Sequence, residues 1–306
     1  MRPLGSPFDL ELEKRPITVT QHEIKSNRVF HVDFKGWRQR VNRAEFIQLK
    51  QLEKAVKNYD FLDKGVHNGF NYVPCAIIVA TDDRRDFEIQ QAEWGFIPGY
   101  AKNREEAKKF RGMYTSLNFK AENLFKNEAG RKSISADAAR QRRCLVLSTG
   151  IIESMHVSTY GKKGQLLKAT DKIPYQVGIV GKEYFWFPGV YNDWFDKEAW
   201  QWVKAAAFGT TAANGIMQQI HNSKKRMPTI LTDDLAWEWL MEERSEERLT
   251  EIALTQIPSK IMEACTIDKD YRFAGEATPI EYADHPALDM SFVDQEVLDF
   301  GHWRKV

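Results

Sequence analysis

The sequence predicts a single α+β domain built on a curled, mostly antiparallel, barrel-like sheet with flanking helices. Strand-like runs come in two groups, each followed by a helix. This is not the one-by-one alternation of strand and helix that builds a doubly wound parallel sheet. Neighbouring strands are joined by short turn signals, as antiparallel hairpins require. A chain of 306 residues is long enough for one large domain or two small ones, and no internal repeat or low-complexity tract divides it.

Residues 1–28 read as an N-terminal extension, because Pro3, Gly5, Pro7 and Pro16 interrupt any regular element. The domain is expected over 29–262. It opens with an alternating strand at Val29 to Phe34 and a helix from Arg43 to Tyr59, where Phe46, Leu49, Leu52, Ala55 and Val56 recur at helical spacing. Strands follow at Tyr72 to Ala80 and Glu88 to Ile97, turned by Asp82 and Asp83. Residues 101–112 read as a charged helix and Cys144 to Leu147 as a buried strand. Tyr160 to Gly164 reads as a hairpin tip. Tyr175 to Val180 and Tyr184 to Val190 read as a further hairpin around Gly181, and Trp202 to Phe208 as another strand. A helix is expected from near Thr211. A second spans about Asp233 to Glu242 with Thr232 as its N-cap. Residues 263–306 read as an irregular C-terminal tail.

Composition narrows the class. Hydrophobic residues make up 42% and charged residues 28%, ordinary for a globular protein. The net charge of +1 means that any nucleic-acid surface is a local patch. Basic clusters lie at Lys102 to Arg111, Arg140 to Arg143 and Lys224 to Arg226, though each alone reads as a solvated face. Nine Trp and 18 Phe supply core area and also stacking surfaces for bases. Three separated cysteines, Cys75, Cys144 and Cys265, fit a reducing compartment. Without zinc-type spacing, no metal or cofactor is expected. No apolar run is long enough for a membrane span, and the N-terminus has no signal-peptide core. The expectation is a soluble, cytoplasmic, nucleoid-associated monomer.

Four segments hold the candidate chemistry: WGFIP at Trp94 to Pro98, LNFKAE at Leu117 to Glu122, RRCLVLSTGIIE at Arg142 to Glu153, and IHNSKKRMP at Ile220 to Pro228. Each has a plain structural reading. Trp94 reads as a core or rim aromatic, Asn118 as the cap of a helix starting at Phe119, Glu153 as a solvated acid at a strand edge, and His221 as a helix terminator.

In this order, together with FPGVYNDW at Phe187 to Trp194 and TTAANGIMQQIHNSKKRMPTIL at Thr210 to Leu231, the segments resemble the SRAP family. The resemblance runs from about residue 60 to about 260. It implies an abasic-site processing protein that binds single-stranded DNA. In that family a cysteine following the initiator methionine closes a thiazolidine ring on the aldehyde of an abasic deoxyribose, and an Asn, a Glu and a His surround it. Asn118, Glu153 and His221 match those positions and are the expected catalytic residues. Trp94, Lys120, Arg143 and Arg226 are the expected DNA contacts, Lys120 standing where the family has Arg. The lysine keeps the charge but loses the bidentate fork. The implied partners are single-stranded DNA and abasic-site DNA.

The departures are as informative. Residue 2 is Arg, and no Met-Cys pair occurs anywhere in the chain. An internal cysteine has no free α-amine, so Cys75, Cys144 and Cys265 cannot close the ring. Phe119 departs from the family pattern, as do Ile151, Ile152 and Ser154 around Glu153. Two classes therefore stand: an abasic-site processing enzyme, which could use another amine, and a non-crosslinking DNA-binding module. A thiol hydrolase pairing Cys144 with His221 is a weaker third, because that cysteine lies in an apolar strand.

Overall fold

A computed structural model describes residues 66–289 except 67, 73, 115, 183, 275–276 and 283–286. The expected extension at 1–28, strand at 29–34 and helix at 43–59 lie outside the described residues. Among the described residues, ten strands form two sheets.

The larger sheet contains β1 (Pro74–Ala80), β2 (Phe87–Trp94), β3 (Asn118–Lys120), β4 (Arg143–Ser148), β7 (Phe185–Asp196), β8 (Gln201–Ala212) and β9 (Arg226–Pro228). Its order is β2-β1-β4-β7-β8-β3, with β9 also on β8. Parallel pairing of Glu93 with Ala205 and of Trp94 with Ala206 joins β2 back to β8. A ring of hydrogen-bonded strands results, a curled sheet rather than a regular barrel. The smaller sheet is β10-β6-β5, made of β5 (Ile151–Tyr160), β6 (Leu166–Ile179) and β10 (Met262–Thr266).

The central strands read as continuous apolar runs because both of their faces are buried. On β1, Cys75, Ile77 and Val79 face the core beneath the smaller sheet, while Ala76 and Ile78 face the helices. β4 repeats this pattern, with Cys144 and Val146 on one side and Leu145 and Leu147 on the other. On the helical side pack α2 (Ala136–Gln141), α4 (Asp233–Met241) and α5 (Glu246–Ala253). α1 (Arg104–Met113) buries Ala107 and Phe110 elsewhere, and α3 (Gly215–Ile220) buries Ile216, Met217 and Ile220 in the core under the smaller sheet. Side-chain caps fix the helix starts: Asn103 for α1, Asn214 for α3, Thr232 for α4 and Ser245 for α5.

Several expectations are revised. Tyr175 to Val180 and Tyr184 to Val190 do not pair with each other. The first belongs to β6, paired with β5 and β10, and the second to β7, paired with β4 and β8. Gly181, at φ +70°, turns the chain from one sheet to the other. Thr211 and Ala212 are not helical, since they end β8 against Met227 and Arg226. β-branched Thr favours that extended state, and α3 starts after Asn214. Asn118 opens a strand rather than capping a helix. The chain beyond residue 262 is not a detached tail. β10 runs along β6, a short helix α6 (Tyr271–Ala274) follows, and Ile267 and Tyr271 are buried.

Candidate functional site

Glu153 lies on β5 opposite Tyr175, on the face shared with buried Ile151 and Met155. His221 caps the C-terminal end of α3, directly after Ile220, its backbone N–H donating to the Met217 carbonyl. The two come together with His221 Nδ1 3.8 Å from Glu153 Oε1.

Their approach is built by Asn222, the residue directly after His221. Asn222 grips the backbone of β5 at His156 from both sides. Its Oδ1 accepts from the His156 N–H at 3.0 Å, and its Nδ2 donates to the His156 carbonyl at 2.9 Å. The side chain thereby imitates a neighbouring strand and docks the end of α3 on β5. His221 Nδ1 is also 2.8 Å from the carbonyl oxygen of Arg226. A carbonyl only accepts, so Nδ1 carries the proton and the lone pair of the neutral ring resides on Nε2.

Burial pushes the Glu153 carboxyl above its ordinary pKa, against the opposing pull of His221 and Lys224. Its side chain keeps 29% of its surface exposed, so the group is desolvated yet reachable. A carboxyl that burial makes harder to ionise, set beside an imidazole, is a pair able to deliver and accept protons.

Arg226 anchors the neighbouring strands. Its guanidinium clasps Glu122 at 2.5 and 3.1 Å and donates to the carbonyl and hydroxyl of Thr210 at 2.6 and 3.1 Å. Lys120 pairs with Thr210 across β3 and β8, and its exposed ammonium meets Glu128 at 3.1 Å. Asn118 lies two residues before Lys120 on the same solvent-facing side of β3. Gly209 fits between these layers because a Cβ there would stand 3.0 Å from Phe119 and 3.1 Å from Pro188.

Trp94 supports this edge from within. Its indole N–H donates to the Leu117 carbonyl at 3.0 Å, and its ring lies 5.2 Å from that of Phe208. The half-buried ring thus fixes the residue before Asn118. Gly95, at φ +138°, lets the strand turn away, since a Cβ there would meet the Tyr72 ring at 2.5 Å.

Arg143 is removed from the expected DNA surface. It is only 4% exposed, and it donates to the carbonyls of Trp239, Ala139, Arg140 and Glu242, tying together the ends of α2 and α4. Cys144 is likewise buried in β4, where burial drives its thiol far above its ordinary pKa, and Cys75 is raised to about 12. Neither is a nucleophile, which removes the thiol-hydrolase reading.

Asn222 and Glu122 were legible only as motif letters. The sequence contains both, in IHNSKKRMP and LNFKAE, but their partners His156 and Arg226 are 66 and 104 residues away. Among the described residues, no group of three or more His, Cys, Asp or Glu converges as a metal site. No described helix is long and apolar enough to cross a membrane.

The chain is similar to the abasic site processing proteins YoqW and YobE of Bacillus subtilis (strain 168), at 26% and 25% identity over 226 residues. That stretch is 72% of this chain and 90% and 92% of theirs. A crystal structure of a Bacteroides thetaiotaomicron protein matches with a TM-score of 0.59 and 26% identity, covering 73% of this chain and 89% of that one. The model of the SOS response associated peptidase family matches residues 40–272, extending past the end of β9 to the start of α6. With most of its length matched, the chain belongs to the SOS response associated peptidase (SRAP) family.

Proposed function

We propose that this chain is an abasic-site processing protein that binds single-stranded DNA and presents Glu153 and His221 to the ring-opened sugar aldehyde. The observation that carries this reading is the Glu153–His221 pair, held at 3.8 Å by the Asn222 clamp and the Arg226 carbonyl. A protonated Glu153 can assist loss of the hydroxyl when an amine adds to the aldehyde. His221 Nε2 can accept the proton released from the attacking amine. Asn118 and Lys120 offer a hydrogen-bonding group and a cation on the adjoining face, and Arg226 adds a planar cation beside them. Phosphate contacts of this kind give affinity without sequence preference.

No thiazolidine is expected from Cys75, Cys144 or Cys265. Ring closure needs an amine and a thiol on adjacent carbons, and the three internal cysteines have their amines in peptide bonds. An amine of this chain, such as Lys120, can still form a reversible imine with the aldehyde. The test is a denaturing gel after incubation with abasic single-stranded DNA, with and without borohydride. A shifted band only in the borohydride lane, or no band with binding retained, fits the proposal. A denaturant-stable band without reductant contradicts it.

A further inference from the structure

The strand that bears Glu153 continues outward into a long two-stranded ribbon. β5 and β6 pair from Ile151 and Val177 to Tyr160 and Leu166, but β10 supports β6 only from Tyr175 to Ile179. Residues 162–172 are all exposed. Tyr160 is 66% exposed and Leu166 65%, although they face each other across the ribbon. A two-stranded hairpin without a third strand or a packed face is marginal by itself.

Its charge is one-sided. Lys162, Lys163, Lys168 and Lys172 all lie on it, and no carboxylate lies within ion-pair distance of any of them among the described residues. Between Glu153 and Lys172 the single acidic residue is Asp171, and Lys269 already neutralises it at 2.7 Å. This unbalanced positive stretch belongs to a chain whose net charge is only +1. From Glu153 to Tyr160 is seven residues, about 24 Å of antiparallel strand. That equals the rise of about seven nucleotides along a B-form strand.

We propose that this ribbon is a DNA-gripping arm that engages the phosphates of a double-stranded flank beside the single-stranded site. The inference rests on reading the Glu153–His221 face as that site. Duplex fits better than a single-stranded flank for two reasons. A two-stranded β-ribbon has the dimensions of the B-DNA major groove. The ribbon also bears four lysines but one exposed aromatic ring, whereas sequence-tolerant grip on a single strand relies on a series of stacking rings.

The test compares the wild-type chain with a variant carrying Lys162→Gln, Lys163→Gln, Lys168→Gln and Lys172→Gln. Two labelled substrates are used: a short abasic single strand, and the same strand with a duplex arm of about 12 base pairs. All four side chains are exposed, so an unchanged thermal midpoint verifies folding. Wild type is expected to bind the armed substrate at least tenfold more tightly, and the variant is expected to lose that gain while holding the short strand equally well. The slope of log affinity against log salt on the armed substrate should fall by about 3 to 4. No gain from the arm in wild type, or a gain that survives in the variant, overturns the ribbon proposal alone. An equal loss on both substrates also overturns it, since the lysines would then serve the site itself. Failure of wild type to bind either substrate overturns the reading of the site.

Discussion

Asn222 holds the backbone N–H and carbonyl of His156 at once, and this fixes His221 beside Glu153. Two elements from different parts of the chain, α3 and β5, thereby become one acid–base pair. Replacing Asn222 by Ala removes both bonds but frees only water-accessible backbone groups. The expected loss of stability is about 1 kcal/mol. Preference for abasic over intact single-stranded DNA should fall more than general DNA affinity, because the clamp positions His221 rather than binding phosphate. Paired affinities for the two DNAs check this. A purely structural Asn222 would lower both together.

The raised pKa of Glu153 predicts a pH-dependent cost. Folding makes this carboxyl harder to ionise, so the unfolded chain releases its proton first as pH rises. Stability is therefore fully present below the ordinary carboxylate pKa and declines as pH rises towards the raised folded value. Glu153→Gln removes the ionisation. Because the group is partly exposed, the gain is expected to be modest, on the order of 1 kcal/mol or about 2–4 °C in thermal midpoint at pH 8. No gain is expected at pH 4. A midpoint that falls at pH 8 would show that the carboxylate is instead stabilised by its neighbours. Any abasic-site chemistry that needs the protonated acid should decline as pH rises through the same range.

Arg143 predicts the opposite separation. Its substitution by Ala leaves four helix-end carbonyls without their donor. The loss should be about 3 kcal/mol by urea denaturation. Below the transition, DNA affinity should be unchanged. A DNA-binding defect in the folded variant would restore Arg143 to the interface.

Arg143 also shows where sequence reading ends. Its cluster, RQRR, has the composition of a phosphate-binding patch, but composition does not say which arginine turns inward to cap two helices. The fold class, the ring of mostly antiparallel strands and the Thr232 cap were legible because alternation and capping are local signals. The misassigned hairpin at Gly181 was not, because β6 and β7 each find partners far along the chain. The pairing of Glu153 with His221 could be expected only from the family resemblance. The Asn222 clamp and the Arg226–Glu122 clasp needed coordinates, since both join segments by tertiary contact.

Lys120 and Arg226 should contribute differently to DNA binding. Lys120→Ala removes an exposed cation and should lower the salt slope on single-stranded DNA by about 0.7, uniformly across sequences. Arg226→Ala should weaken binding similarly and also destabilise the chain, because Glu122 and Thr210 lose their partner. Salt titrations with thermal melts separate the two effects. A sequence-dependent loss from either variant would indicate base readout instead of phosphate contact.

The most direct measurement of the central claim is fluorescence anisotropy with one labelled single strand, intact or carrying one abasic site, titrated with wild type and with His221→Ala at low and high salt. Wild type is expected to bind both strands, to prefer the abasic one, and to weaken on both as salt rises. His221→Ala is expected to retain the salt-dependent binding and lose the preference. Equal wild-type affinities for the two strands, or a preference that survives in His221→Ala, would contradict the assignment of Glu153 and His221 to the abasic sugar.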